Sequence, residues 1–391
     1  MKLNHGLHLA YCTNIHRGED WAETFAALQT RTLAVRGRVA RGVPYAIGLR
    51  LSRQAAVELR DPATLGEFRR WLDRHDCYVF TINGFPFGRF HGGRVKEQVY
   101  RPDWTSPERL EYTNLLFDLL AEIVPAGVAG SVSTLPGSFK EFITAPEQER
   151  EIRRQVWACA EHVARLSERT GRDLHLGLEP EPLGYFETSA ETIRFFEQLR
   201  GEHPGDARLD RHLGVNYDTC HLAVEYEEPA AALGAFRAHG IKISKIHLSS
   251  ALKARPSVAA RARLAGFADD IYLHQVIVRT ATGGRLVYRD LAPALADPAA
   301  VADAENAEWR VHFHIPLHSP DTDWYRTTAD HVLGTLDALR ADPALCAHLE
   351  METYTWEVMP PEMKKGDVVD QLTAEYDWTL AELKTRGLLG A

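Results

Sequence analysis

At 391 residues, 45% of them hydrophobic and 25% charged, the chain fits one large barrel with insertions and is too apolar to be disordered. Its 45 Lys and Arg against 54 Asp and Glu give a net charge of −9, which excludes the basic footprint of a general nucleic-acid binder. The five cysteines are odd in number, scattered and without a CxxC pair, so they read as reduced thiols of a cytoplasmic protein. No run is long enough to insert into a membrane, and Met1 to Gly6 carry no apolar signal core.

In chain order, Leu3, Leu7 and Leu9 alternate with Asn4, Gly6 and His8, which predicts a first strand with His8 on its polar face. A helix follows over residues 20–35, then a second strand over 45–50 that ends in Arg50. Asp61 and Pro62 open a helix to residue 75, and residues 77–83 make a third strand ending in Asn83. The segment 84–106 is too long for a mere connector. It carries Phe85, Phe87, Phe90 and Tyr100 among glycines, the composition of a cover or a substrate lid. A helix over 107–124, a weak fourth strand over 130–134 and a long helix over 146–170 come next.

Leu174, Leu176 and Leu178 alternate with His175, Gly177 and Glu179, and the alternation runs on to Glu181. This is a fifth strand with carboxylates at its C-terminal end. Pro180, Pro182 and Gly184 stop it, and Thr188 or Ser189 caps the next helix. The sixth strand, 212–218, puts Asn216 and Asp218 on one face. The seventh, 241–248, puts Lys245 and His247 together. The eighth, 347–352, aligns His348, Glu350 and Glu352. Between the seventh strand and its helix at 328–339 lies an insertion, about 249–324. It contains a hairpin, strands 271–278 and 285–290 around Thr282, Gly283 and Gly284, and a strand-like run at 309–315. A hairpin of this size is expected over the barrel mouth or in a homodimer contact. A final helix covers 368–383. The alternation predicts a single α/β domain over 1–391, a (β/α)8 TIM barrel with a β-hairpin insertion after strand seven. There is no Gly-rich dinucleotide fingerprint and no phosphate loop.

Four consecutive strands thus deliver ionisable residues to their C-terminal, inward ends: Glu179 or Glu181, Asp218, His247, and Glu350 or Glu352. Any one alone reads as a salt-bridged rim residue. Together, three carboxylates and an imidazole suit one divalent ion, Mn²⁺ ahead of Mg²⁺, Co²⁺ or Zn²⁺. His221 either caps the helix after Asp218 or faces a substrate. Lys253 is by default a solvated lysine and otherwise a substrate contact. His274, His312, His314 and His318 lie in the insertion, where a histidine is most often structural and at best part of a lid. His8, Arg50 and Asn83 end up inward on the first three strands, as candidate substrate contacts.

The runs Glu181 to Thr188, Asp218 to His221, His247 and Met351 to Thr353 resemble the xylose-isomerase-like barrels of the sugar phosphate isomerase/epimerase superfamily, above all the ketose 3-epimerase branch. The resemblance covers strands five to eight and reaches the first half only as architecture. It implies metal ligation by Glu181, Asp218, His247 and Glu352, proton transfer by Glu181 and Glu352, and substrate contact by Glu187 and His221. Lys253 stands where the family has an arginine, and the doubling of Glu179 and Glu181 departs from the family, leaving Glu179 as the alternative ligand. More narrowly, Tyr11 to His16, Ser133 to Pro136 and Glu179 to Pro182 resemble the EboE family of bacterial ebo gene clusters. That likeness implies processing or traffic of a small secondary metabolite, with other ebo-cluster proteins as partners. The leading expectation is a metal-dependent isomerase or epimerase of a small polyhydroxy or carbonyl metabolite. The alternatives are a non-catalytic carrier on the same fold and a phosphodiesterase like the superfamily's endonucleases, which use several zinc ions and bind DNA.

Overall fold

The computed structural model describes residues 1–280, 282–301 and 306–390. Strands β1 (His8–Tyr11), β2 (Tyr45–Arg50), β3 (Cys77–Asn83), β4 (Gly130–Thr134), β5 (Leu174–Leu178), β6 (Leu213–Asp218) and β7 (Lys242–Leu248) are separated by helices. Strands β8 (Ser250–Ala254), β9 (Val276–Arg279), β10 (Arg285–Tyr288), β11 (Glu308–Ile315) and β12 (Arg326–Thr327) form the insertion, and β13 (His348–Met351) returns to the barrel. The barrel sheet runs β1-β13-β7-β6-β5-β4-β3-β2 with every neighbour parallel. A parallel bridge from Cys12 to Gly48 brings its two ends together. This is the (β/α)8 architecture that the alternation of elements predicts.

The leucines of β5 and the apolar residues Val215, Tyr217, Ile246, Leu248 and Leu349 are buried in one core between the barrel and its helices. The opposite parity of these strands therefore points into the barrel. Helix starts follow local chemistry. The Asp61 carboxylate accepts from Thr64 N, and the Thr188 hydroxyl, not Ser189, accepts from Glu191 N. Among the described residues no helix is long and apolar enough to cross a membrane.

Two expectations need correction. The first strand does not span Leu3 to Leu9. Asn4–Gly6 is a 3₁₀ turn with His5 at φ 56°, and it folds Lys2 back against His8. The apolar alternation is real, but the turn occupies its middle, so His8 begins β1 instead of ending it. The insertion also holds more than a hairpin. Five antiparallel strands in the order β10-β9-β11-β8-β12 enclose a core of their own around Leu252, Trp309, Val311, Phe313 and Ile315. The strand expected from residue 271 starts only at Val276. Residues 271–275 cross the barrel mouth instead. The segment 84–106 meets them there, with Val95 N and Lys96 N donating to Ile271 O at 2.9 and 2.7 Å.

Candidate metal centre at the barrel mouth

Glu179 just past β5, Asp218 ending β6, His247 on β7 and Glu352 just past β13 each offer a ligand atom, all within 4.8 Å of one another. The His247 Nδ1 atom lies 3.1 Å from Glu179 Oε1, 3.5 Å from Asp218 Oδ2 and 3.3 Å from Glu352 Oε2. Its Nε2 faces Glu350 Oε2 at 2.8 Å, and the same oxygen accepts from Lys245 Nζ at 2.6 Å. A carboxylate behind the ring fixes the Nε2–H tautomer and turns the Nδ1 lone pair toward the cluster, the usual arrangement behind a metal-ligating histidine. Glu350 has room because β2 carries Gly48 opposite it: a Cβ there would lie 2.0 Å from Glu350 Oε1.

The electrostatics describe a set of anions in need of a cation. Burial opposes charge on His247, but Glu352 and Glu179 outweigh Lys245 and hold its pKa well above the ordinary value. Burial would raise Asp218, yet His221, His247 and His314 hold it well below the usual carboxylate range. Burial works against Glu350 too, and Lys245 and His247 bring it down to about 2. Asp218 Oδ1 caps its helix by accepting from Cys220 N at 2.8 Å and His221 N at 3.0 Å, and it also accepts from Ser249 Oγ at 2.6 Å. Its Oδ2, with Glu179 Oε2 and Glu181 Oε2, is buried and accepts no hydrogen bond from the protein. Buried, unpartnered carboxylate oxygens are costly, and three carboxylates with one imidazole are the donor set of a divalent ion. The residues present fit such an ion.

The structure does not bring all the expected residues together. Glu179 keeps the β5 register, its N–H bonding Thr134 O at 3.0 Å, and so joins Asp218, His247 and Glu352. Past Pro180, Glu181 groups instead with His221 and His312, and burial pushes its pKa up to about 8. Asn83 reaches the site: its Nδ2 donates to Glu352 Oε1 at 3.1 Å, while Asn14 Nδ2 donates to the same oxygen at 2.7 Å. Glu187 bonds Leu183 N at 2.7 Å and pairs with Lys140, which braces the loop after β5 outside the cavity lining. Lys253 is paired with Asp330 at 2.6 Å on the insertion sheet, also outside the lining. His8 lies at the opposite end of the barrel against Tyr78 Oη at 2.8 Å, because β1 starts with it. Arg50 donates to the carbonyls of Gly18 at 2.7 Å and Gly88 at 2.5 Å and so holds loops in place.

His312 and His314 belong to the site itself and are more than lid residues. On β11, Trp309, Val311, Phe313 and Ile315 face the insertion core, so the alternate residues His312 and His314 face the barrel. That period-two pattern was the available signal. Three imidazoles here place Nδ1 against an oxygen acceptor: His221 on Pro180 O at 3.1 Å, His312 on Gln275 Oε1 at 2.6 Å, and His314 on Glu352 O at 3.0 Å. Their Nε2 atoms are the ring nitrogens left for other partners, and those of His312 and His314 stand 3.2 Å apart. Burial, with His221 and His314 adding to it, keeps His312 neutral, its pKa well below the ordinary value. His221 goes the other way: burial lowers its pKa, but Asp218 and Glu181 raise it further. These histidines form further ligand groups with Glu181 and with Asp218. A cavity over both sets is lined by residues of the 84–106 segment, the insertion and the stretch after β13.

No protein-family model and no curated protein matches the chain. Solved structures of the same fold do. An L-ribulose 3-epimerase superposes with TM-score 0.52 at 14% identity, over 99% of this chain and 96% of that one. A D-psicose 3-epimerase from Clostridium cellulolyticum H10, solved with D-tagatose, gives 0.51 at 14% identity, over 98% and 99%. The IolI protein with a bound zinc atom gives 0.51 at 12% identity, over 97% and 98%. The fold is therefore the (β/α)8 barrel that these structures share. The narrower likeness to the EboE family rests on the sequence runs alone.

Proposed function

We propose that the protein is a metal-dependent isomerase or epimerase of a small carbonyl metabolite. One observation carries this reading: Glu179 and Glu352 converge on one ligand position from β5 and β13, with β6 and β7 between them in the sheet. The neighbours in fold include two sugar 3-epimerases and a zinc-bound protein, which supports the reaction class and a divalent ion without naming either. Bound by Glu179, Asp218, His247 and Glu352, a divalent ion supplies electrophilic polarisation of a substrate carbonyl. Glu352, with Oε1 clamped by Asn14 and Asn83, takes the proton from the adjacent carbon through its other oxygen. Glu179 across the site, in the role that the family likeness implies for Glu181, would start the cycle protonated and give that proton to the opposite face, after which Glu352 would lose the abstracted proton to solvent and Glu179 would take one up. The further groups, Glu181 with His221 and His312 and Asp218 with His221 and His314, make two ions per chain the expected count, where the sequence suggested one.

The test is Glu352→Gln held at full metal occupancy, with solvent deuterium exchange into carbonyl substrates as the readout. If Glu352 moves the proton, saturating metal does not restore exchange, and the loss is about 10²–10⁴-fold. Wild-type exchange in that variant refutes the role.

The histidine-containing groups beside the first site also favour a second reading, hydrolysis of a phosphodiester, since paired ions serve phosphoryl transfer. The net charge of −9 weighs against a DNA substrate. Turnover of bis(4-nitrophenyl) phosphate by the metal-loaded protein, with no exchange into any carbonyl compound, would shift the assignment to this reading. A cytoplasmic place in metabolite traffic, beside other ebo-cluster proteins, is proposed from the sequence likeness alone.

A further inference from the structure

The floor of the mouth cavity is polar, but its walls are not. Five aromatic rings line it: Phe85, Phe90, Tyr100, Tyr272 and Tyr354. The centroid of Phe90 is 5.2 Å from those of Tyr272 and Tyr354, which are 5.1 Å from each other, and Phe85 lies 5.5 Å from Tyr100. Such spacing makes two aromatic patches on the cavity wall. The Tyr272 hydroxyl is taken by His91 Nδ1 at 2.6 Å.

Positive charge is equally committed. Lys96 is the one lysine or arginine among the described lining residues. Its Nζ donates to Asp269 O and Tyr272 O at 2.6 Å each and to Asp290 Oδ2 at 2.7 Å, which uses all three protons. Arg109, beneath the 84–106 segment, donates to the carbonyls of Pro102, Gly84 and Phe85 at 2.8–3.0 Å. A phosphate or carboxylate entering the cavity would therefore meet buried carboxylates at the floor and no free cation on the walls. Tyr100 Oη is buried without a protein partner and can meet one hydroxyl, but the other hydroxyls of a free sugar would lie against ring faces that cannot replace their water.

We infer that the site takes a neutral α-hydroxycarbonyl compound with an aryl or alicyclic body, not a free or phosphorylated sugar. The hydroxycarbonyl head lies on the carboxylate and histidine floor, and the body packs against the rings. The head group rests on the isomerase reading above; the body rests on the walls alone.

The test uses the full-length protein loaded with Mn²⁺ and three probes: 1-hydroxy-1-phenylpropan-2-one, D-fructose and D-fructose 6-phosphate. Calorimetry reads binding, and proton NMR in D₂O reads exchange at the carbinol carbon. The aryl probe should bind about tenfold more tightly than D-fructose, and the phosphate should not bind. Phe90→Ala should weaken the aryl probe about tenfold and leave Mn²⁺ affinity unchanged. Phe90→Leu keeps apolar bulk, should lose less in the same direction, and serves if the alanine variant does not fold. Equal or tighter binding of either sugar, or no binding of the aryl probe, overturns the inference. Binding of the aryl probe without exchange in any probe upholds the inference and overturns the isomerase reading. Exchange confined to D-fructose does the reverse.

Discussion

The Lys245, Glu350 and His247 chain shows how a buried charge becomes a positioning device. Lys245 and Glu350 are both fully buried and 2.6 Å apart, so neither tolerates loss of the other. Glu350→Gln should weaken divalent metal affinity about 10–100-fold, through loss of the His247 tautomer. It should also cost about 3–5 kcal/mol of stability, because the Lys245 ammonium is left unpaired. Metal titration and denaturant unfolding of the same variant check both. Gly48→Ala should reproduce the metal defect, since its Cβ would displace Glu350 Oε1. Asp218 and His247 are legible in the sequence from strand parity alone. Parity leaves Glu350 beside Glu352 and Glu179 beside Glu181, and the family likeness picks Glu352 and Glu181. Pro180 separates Glu179 from Glu181: it ends the β5 alternation, so Glu181 turns to His221 and His312. Glu179→Gln should therefore weaken the first ion far more than Glu181→Gln does, as read by isothermal titration with Mn²⁺.

At the scale of elements, the barrel end opposite the mouth carries a layer of neutral histidines. His8, His175 and His348 point inward near the starts of β1, β5 and β13. His175 bonds Ser244 Oγ at 2.6 Å, and His348 bonds Ser131 Oγ at 2.8 Å. Burial pushes His175 down to about 3 and His8 to about 4. An unfolded histidine titrates near 6.5. Between about 6.5 and 4 the unfolded chain thus binds protons that the folded barrel refuses, so stability falls as pH falls through this window. The melting temperature should drop as pH falls below 6.5, less steeply in His175→Gln. A melting temperature independent of pH from 7.5 to 4.5 would contradict this. The sequence pattern misplaces His8 because a turn at Asn4–Gly6 leaves the leucine spacing intact while reversing the chain. The architecture of the insertion is not legible in the sequence. Its strands pair across long separations, β8 with β11 and β12, which no local pattern reports.

At the scale of the molecule, the site is a joint. The candidate ligands come from β5, β6, β7 and β13 or the residues just past them, and His312 and His314 come from a sheet with its own core. An ion that binds only this assembled state stabilises the whole chain by mass action, about 2.7 kcal/mol at a hundredfold excess over Kd. Chelation should therefore lower a single unfolding transition and not merely loosen the mouth. A chelator that leaves the transition unchanged would argue against a resident ion. The barrel itself follows from element order, since eight alternating strands and helices leave few other closures. The aromatic cover is visible in sequence as Phe85, Phe90 and Tyr100 in a long segment, but its partners Tyr272 and Tyr354 are distant along the chain and give no signal.

The most direct measurement is anomalous scattering from crystals of the protein reconstituted with Mn²⁺. The expected result is a peak about 2.0–2.3 Å from oxygens of Glu179, Asp218 and Glu352 and from His247 Nδ1, at an occupancy that Glu350→Gln reduces. No peak among these four residues, or a peak held by Glu181 with Glu179 turned away, would contradict it.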